Sequence, residues 1–147
     1  MLPGPVYCDT SALVKLYIRE RHSDALNRFV EGRNDLVISD LTVTEVVSAL
    51  ARRARHDSAA AQAVRRVQDA ILARFEDGTY HRVELTRDVH RRAERFLTTL
   101  GSTPLRAGDA LHLALASSGQ VATVASFDAR LMAAARTIGL SVYPDAP

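Results

Sequence analysis

The sequence predicts a three-layer α/β/α domain built on a central, mainly parallel five-stranded sheet. Short apolar runs alternate along the chain with longer segments of helical periodicity, and strands separated by helices favour parallel pairing with right-handed crossovers. The chain has 147 residues, and no linker rich in Pro, Gly or Ser divides it. Because this is a common size for one folding unit, residues 1–147 are predicted to form a single domain.

Five short apolar runs have the composition of buried strands. The second run, Leu-Val-Ile at residues 36–38, is flanked by Asn-Asp before it and Ser-Asp after it. Branched apolar residues bounded by turn-forming residues are typical of a buried strand. The predicted strands are residues 6–8, 36–38, 80–85, 121–125 and 140–143.

Helical periodicity occupies the segments between these runs. In the helix that begins at Leu41, apolar residues recur at the spacing of one helix face. Asp57 and Ser58 mark a break before the next helix, and Gly101 and Pro104 end a later one. The predicted helices are residues 11–17, 22–30, from 41 onwards, 59–75, 86–100, 106–118 and 128–137.

The composition excludes several classes of protein. A single cysteine, Cys8, rules out a disulfide framework and a multi-cysteine zinc site, and its apolar neighbours predict a buried thiol. No stretch approaches the ~20 apolar residues of a membrane span, and the N-terminus lacks the features of a signal peptide. We therefore expect a cytoplasmic protein. The formal charge of +2 is too balanced for a polycation but does not exclude nucleic acid as a partner.

Four acidic residues occupy positions that a parallel sheet brings to one edge. Asp9 and Asp128 directly follow predicted strands, and Glu45 and Asp109 lie near the starts of helices. Each alone has an ordinary interpretation: a helix cap for Asp9 and Asp128, a buried ion pair with Arg106 or another arginine for Asp109, and a solvated side chain for Glu45. Since ligands bind outside the carboxyl ends of parallel strands, their joint placement predicts a site.

Such a cluster of carboxylates favours a divalent cation. Carboxylates gathered in a low dielectric repel one another, and Mg²⁺ or Mn²⁺ would relieve that repulsion. These hard cations prefer oxygen ligands and need few protein groups besides carboxylates and water. A site of this kind can activate water to attack a phosphodiester.

Other polar residues have two interpretations each. His112 follows Asp109 by three residues on the same helix face and is predicted to be a core histidine bonded to the backbone or to a carboxylate, with a metal role left open. The arginine clusters are either solvated helix faces or phosphate contacts, and the candidate RNA contacts are Arg19, Arg52 and Arg106. The remaining histidines lie among polar residues and are predicted at the surface: His22, His56, His81 and His90.

Four blocks of the sequence together resemble the motifs of PIN-domain proteins. They occur in the order of that family and span nearly the whole chain; the closest subgroup is the VapC-like ribonuclease toxins of type II toxin–antitoxin systems. The first and third blocks carry the most specific residues, Asp-Thr-Ser-Ala and Asp-Ala-Leu-His-Leu-Ala. The blocks are residues 6–13 (VYCDTSAL), 38–50 (ISDLTVTEVVSAL), 105–116 (LRAGDALHLALA) and 123–134 (TVASFDARLMAA).

The resemblance implies a PIN-like fold and a metal-dependent endoribonuclease. RNA would be hydrolysed by metal-activated water, with Mg²⁺ or Mn²⁺ as the cofactor and without a covalent intermediate. The family's metal-binding, catalytic acids correspond to Asp9, Glu45, Asp109 and Asp128. Ser11 and Ser126 occupy positions where the family commonly has a hydroxyl near the metal.

The resemblance also implies partners and leaves two other functions open. The expected partners are a cognate antitoxin and a second copy of the chain. The apolar residues of the 59–75 helix either pack against the preceding helix or line a surface for such a partner. These residues are Val64, Val67, Ile71 and Leu72. One alternative is a catalytically silent PIN-like module that binds RNA or protein. The other is a phosphatase of the haloacid-dehalogenase type, which expects a second Asp where this chain has Ser11.

Overall fold

The computed structural model describes residues 1–55 and 57–145, which contain five strands and seven helices. Their order along the chain follows the predicted alternation. The elements are β1 (Val6–Cys8), α1 (Thr10–Lys15), α2 (Ser23–Val30), β2 (Leu36–Ser39), α3 (Asp40–Arg53), α4 (Ser58–Glu76), β3 (Tyr80–Val83), α5 (Arg87–Thr99), α6 (Ala107–Ser118), β4 (Thr123–Ala125), α7 (Ala129–Thr137) and β5 (Ser141–Tyr143).

All five strands form one parallel sheet in the order β3-β2-β1-β4-β5. The central strand β1 pairs with β2 on one side and with β4 on the other, with Val6 opposite both Leu36 and Thr123. The predicted mainly parallel sheet is therefore confirmed, and within the described residues it contains no antiparallel strand.

Side chains of the sheet alternate between two hydrophobic layers, as the period of two in a strand requires. In β1, Val6 and Cys8 pack against α1, α2, α3 and α4, whereas Tyr7 faces α5, α6 and α7. Val37 and Val124 share the second layer with Tyr7. The sheet is thus covered by helices on both faces, which confirms the three-layer architecture.

Side-chain caps set the starts of two helices that differ slightly from prediction. The Ser39 hydroxyl accepts the amide of Thr42, so α3 begins at Asp40 rather than Leu41. The Thr86 hydroxyl accepts the amide of Val89, which makes Thr86 the cap of α5 rather than its first residue. Strand β3 is two residues shorter than predicted.

Strand β1 lies at the centre of the sheet, between β2 and β4. The chain adds β2 and β3 on one side of β1 and then β4 and β5 on the other side. In open parallel sheets, such a switch point creates a crevice at the carboxyl ends of the strands. The Asp9 amide donates to the Ala125 carbonyl at 3.2 Å, so the ends of β1 and β4 lie side by side. Separately, no helix in residues 1–55 or 57–145 is long and apolar enough to cross a bilayer.

Candidate active site

A cavity of about 490 Å³ opens at this switch point, and all four predicted acids line it. Asp9 comes from the end of β1, Glu45 from α3, Asp109 from α6 and Asp128 from the start of α7. The structure therefore brings together side chains that lie up to 119 positions apart in the sequence. Within this cavity the carboxylates share one solvent-accessible space.

Asp9 is the most buried of the four acids, with 4% of its surface exposed. Its Oδ1 accepts the Ser11 hydroxyl at 2.7 Å and the Ala12 amide at 2.9 Å, and its Oδ2 accepts the Ser126 hydroxyl at 2.6 Å. Burial raises the pKa of the Asp9 carboxyl, although the nearby His112 and these hydrogen bonds oppose the rise. An ionised Asp9 is therefore an acceptor that a cation would stabilise.

The two predicted supporting hydroxyls hold Asp9 and also fix the loop after β4. The Ser11 oxygen accepts the Phe127 amide at 2.8 Å, and the Ser126 oxygen accepts the Asp128 amide at 3.0 Å. Each serine thus donates to Asp9 while accepting from the segment that carries Asp128. The distance between the acids from β1 and β4 is consequently fixed by hydrogen bonds.

Asp109 and Asp128 are held by backbone amides of their own helices. Asp109 Oδ2 accepts the Arg106 amide at 3.0 Å, and Asp128 Oδ1 accepts the Arg130 amide at 2.9 Å. The predicted ion pair of Asp109 with Arg106 or another arginine is wrong: within the described residues Asp109 forms no salt bridge, and Arg106 contributes its backbone amide rather than its guanidinium. Since Asp109 is a helix N3 residue, its carboxylate reaches back to the preceding amide instead.

Glu45 is bonded to two other helices rather than freely solvated. Its Oε1 accepts the Thr10 hydroxyl at 2.7 Å and lies 2.5 Å from His112 Nε2. The hydrogen bond from His112 is the main cause that lowers the pKa of Glu45, and the bond from Thr10 lowers it further. Glu45 is therefore ionised at neutral pH.

His112 is a buried histidine, 6% exposed, with partners on both ring nitrogens. Its Nδ1 lies 2.7 Å from the Tyr7 hydroxyl and its Nε2 contacts Glu45. The predicted core histidine bonded to a carboxylate is confirmed. Sequence reasoning did not select Tyr7, although a tyrosine in a buried strand needs a polar partner for its hydroxyl, and that need was a usable signal.

The arginines at the cavity differ in part from the predicted RNA contacts. Arg106 lines the cavity, together with Arg53 and Arg130, which sequence reasoning did not select. Arg53 follows Glu45 by about two helical turns, and Arg130 follows Asp128 by two residues. Their spacing from the predicted acids could therefore have identified both arginines as neighbours of the site. Arg19 is exposed and pairs with Asp24 at 3.2 Å, and Arg52 is exposed; neither lines the cavity.

The donor set fits a hard divalent cation that keeps part of its water shell. In the described part of the chain, no hydrogen bond reaches Asp109 Oδ1, Asp128 Oδ2 or Glu45 Oε2. Among those same residues, no three His, Cys, Asp or Glu side chains lie close enough to enclose one ion. Mg²⁺ commonly uses one or two carboxylates plus waters, so a closed protein cage is not required.

Three of the four histidines predicted at the surface are exposed: His22, His81 and His90. The fourth, His56, lies outside the described residues. The buried thiol predicted for Cys8 is confirmed, and burial raises its pKa to about 12.

Comparison with known proteins places this chain in a family. Residues 6–137 match the PIN domain, and the chain therefore belongs to the PIN domain family. The chain is 34% identical over 142 residues to Ribonuclease VapC46 of Mycobacterium tuberculosis, a match that covers 93% of this chain and 95% of that protein. The resemblance drawn from the four sequence blocks is thereby confirmed.

Solved structures confirm the fold at lower sequence identity. The VapC20 toxin of Mycobacterium tuberculosis, described as cleaving the sarcin-ricin loop, superposes with a TM-score of 0.69 at 19% identity, covering 88% of this chain and 95% of that one. FitAcB from Neisseria gonorrhoeae superposes with a TM-score of 0.68 at 15% identity, covering 95% and 96%. At these identities the likeness establishes the architecture.

Proposed function

We propose that this chain is a Mg²⁺-dependent endoribonuclease and the toxin of a type II toxin–antitoxin pair. The observation that carries the proposal is the gathering of four carboxylates in one cavity of a PIN domain. The 34% identity to a VapC ribonuclease over nearly the whole chain supports RNA as the substrate. Mn²⁺ is the alternative metal, because it accepts the same oxygen ligands.

The role proposed for each acid is the one that the resemblance to PIN-domain proteins implies. Asp9 and Asp109 are the principal metal ligands, and Asp128 binds the metal directly or through water. Glu45, which is ionised, orients or deprotonates the attacking water, or completes the metal's coordination. When bound, the metal supplies Lewis-acid activation of water and stabilises the leaving oxygen.

The arginines at the cavity provide the complementary charge for an RNA backbone. Arg53, Arg106 and Arg130 lie at the same cavity as the four acids, so phosphates can be held beside the proposed metal. Guanidinium groups bind phosphate oxygens in a bidentate geometry. Arg19 and Arg52 remain predictions for RNA contacts outside the cavity.

The proposal includes a cognate antitoxin, a homodimer and a cytoplasmic location. VapC46 and VapC20 are VapC proteins, and this supports a toxin with a protein partner. Within α4, Ile71 is buried against the core and Leu72 is 44% exposed. Val64 and Val67 line a cleft of about 170 Å³ against α3, so this helix offers both internal packing and an outer apolar surface. Light scattering of the purified chain, alone and co-expressed with the product of an adjacent upstream reading frame, tests both partnerships.

RNA cleavage by the purified protein tests the proposed activity. We expect cleavage with Mg²⁺ or Mn²⁺ that stops with EDTA and in the variants Asp9→Ala and Asp109→Asn. Asp69→Asn is the matched control, because Asp69 is an exposed carboxylate of α4 that does not line the cavity. Cleavage that persists with EDTA or in either site variant would contradict the metal mechanism.

Growth arrest on expression distinguishes a toxin from a housekeeping nuclease. We expect arrest with the wild-type chain, and normal growth with Asp9→Ala or when the antitoxin is co-expressed. A wild-type protein that binds RNA without cleaving it in Mg²⁺ would indicate the silent module instead. The phosphatase alternative is disfavoured because Ser11, where that enzyme needs a second Asp, holds Asp9 by a hydrogen bond.

A further inference from the structure

Glu45 is held differently from the other three acids of the cavity. A backbone amide of the adjoining helix contacts each aspartate: Ala12 for Asp9, Arg106 for Asp109, and Arg130 for Asp128. Among the described residues, Glu45 instead receives hydrogen bonds only from side chains, those of Thr10 in α1 and His112 in α6.

The position of Glu45 in its helix explains this difference. Glu45 lies in the second turn of α3, where the backbone amides are already bonded within the helix, so no local donor is free to hold its carboxylate. Its side chain is also longer than that of aspartate and is 39% exposed. Without tertiary donors, the carboxylate would sample several rotamers in the cavity.

His112 is itself fixed by a chain of buried groups. The Tyr7 hydroxyl contacts His112 Nδ1 at 2.7 Å and the Ser39 hydroxyl at 2.9 Å. The Thr42 hydroxyl lies 3.0 Å from that of Ser39 and donates to the Cys8 carbonyl at 3.3 Å. Rotation of the imidazole would leave buried polar atoms unpaired, which is costly.

We propose that His112, fixed by Tyr7, is a positioning residue that orients the Glu45 carboxylate toward the metal cavity. One oxygen of Glu45 is occupied by His112 and Thr10, and Oε2 is left to accept a metal ion or a metal-bound water. The carboxylate is thereby ordered before the metal arrives, so less rotamer entropy is lost on binding. This inference rests on the proposed function, since it concerns how the same site is assembled.

A pair of amide variants separates positioning from packing. In His112→Gln the terminal amide reaches the place of Nε2 and can still donate to Glu45, whereas in His112→Asn the shorter amide reaches only the place of Nδ1. Both variants replace a buried imidazole by a neutral amide, and thermal unfolding of each variant separates a loss of packing from a loss of metal affinity. The probe is Mn²⁺ alone, titrated calorimetrically into the RNA-free protein.

We expect His112→Asn to weaken Mn²⁺ binding by roughly 10–100-fold, the usual effect of losing a group that orients a metal ligand. His112→Gln should remain within a few-fold of the wild type. In the Glu45→Gln background, His112→Asn should cause no further loss, because its effect passes through Glu45. RNA cleavage by the same variants should follow the order of their Mn²⁺ affinities.

Several outcomes overturn the inference. Equal losses in His112→Asn and His112→Gln, or wild-type affinity in both, would show that His112 does not act through Glu45. If His112→Asn fails to give a cooperative thermal transition, Thr10→Val and Thr10→Ser replace the pair of His112 variants. Thr10→Val should weaken Mn²⁺ binding, whereas Thr10→Ser should bind Mn²⁺ like the wild type. Equal affinities of these two variants would refute the ordering of Glu45. A wild-type chain that binds no Mn²⁺ and cleaves no RNA would refute the proposed function as well.

Discussion

The substitution Tyr7→Phe removes one hydroxyl from the buried chain beneath the active site. The aromatic ring is fully buried, and phenylalanine keeps its shape, so packing around β1 should not change. The hydroxyl contacts His112 at 2.7 Å, Ser39 at 2.9 Å and Thr42 at 3.3 Å. The stability change therefore reports on these hydrogen bonds rather than on a cavity.

The expected magnitude follows from the groups that lose their partner. Ser39 and Thr42 keep each other, and Thr42 keeps the Cys8 carbonyl, so both hydroxyls remain satisfied. Among the described residues, His112 Nδ1 has no other hydrogen-bond partner. Leaving one buried polar atom unpaired costs about 1–3 kcal/mol. For a chain of this size, that loss lowers the thermal midpoint by roughly 3–10 °C.

The assay is thermal and urea unfolding of the RNA-free protein in EDTA, followed by circular dichroism. Tyr17→Phe is the matched control, because its hydroxyl contacts that of Tyr80 at 2.7 Å in a part-buried pair outside the cavity. Water can replace that interaction, so the control should lose about 1 kcal/mol or less. If Tyr7→Phe unfolds at the same temperature as the wild type or the control, the hydroxyl does not hold His112.

Three further predictions concern the surface and the buried titratable groups. Arg106→Gln and Arg130→Gln should weaken RNA binding and lower the salt dependence of the binding constant (the slope of log K against log salt concentration) by about 1 for each phosphate that is no longer bound. Equal effects from Arg28→Gln, an exposed arginine of α2 outside the cavity, would contradict a role specific to the cavity. Burial raises the pKa of Cys8 to about 12, so a thiol reagent in mildly alkaline buffer should react only with unfolded protein; rapid labelling of the native chain would refute this. Burial also raises the pKa of all four tyrosines. Because their folded pKa values exceed the unfolded value of about 10, their contribution to stability is complete below that pH and is lost as pH rises. The tyrosinate absorbance of the two most buried tyrosines, Tyr7 and Tyr80, should therefore appear together with unfolding, and ionisation of all four tyrosines in the folded chain near pH 10 would argue against their burial.

The fold was predictable because its signals are local. The run at residues 36–38 is apolar and bounded by polar residues, and the helix that follows shows apolar residues at helical spacing. The errors lie at element ends, where single caps decide. Ser39 both ends β2 and caps α3, and its role as a cap depends on the Thr42 amide that its hydroxyl accepts, a bond that the sequence does not show.

The site was predictable to the extent that topology, rather than side-chain contact, positions it. Once the strands are parallel, residues that follow β1 and β4 must meet at one edge, and Asp9 and Asp128 do so. The contact between Glu45 and His112 joins residues 67 positions apart. No periodicity encodes such a pair, which depends on how α3 and α6 pack across the edge of the sheet.

The helix-cap and cavity interpretations of the aspartates are compatible. Asp128 Oδ1 caps α7 and Oδ2 remains available, and in the same way Asp109 Oδ2 accepts the Arg106 amide at the start of α6 while Oδ1 remains available. A carboxylate has two oxygens, so one can order the side chain against its own helix while the other faces a ligand. For such residues, evidence for a cap is not evidence against a metal site. Glu45 cannot use this local solution, and its orientation therefore depends on His112, a residue that sequence reasoning assigned to the core.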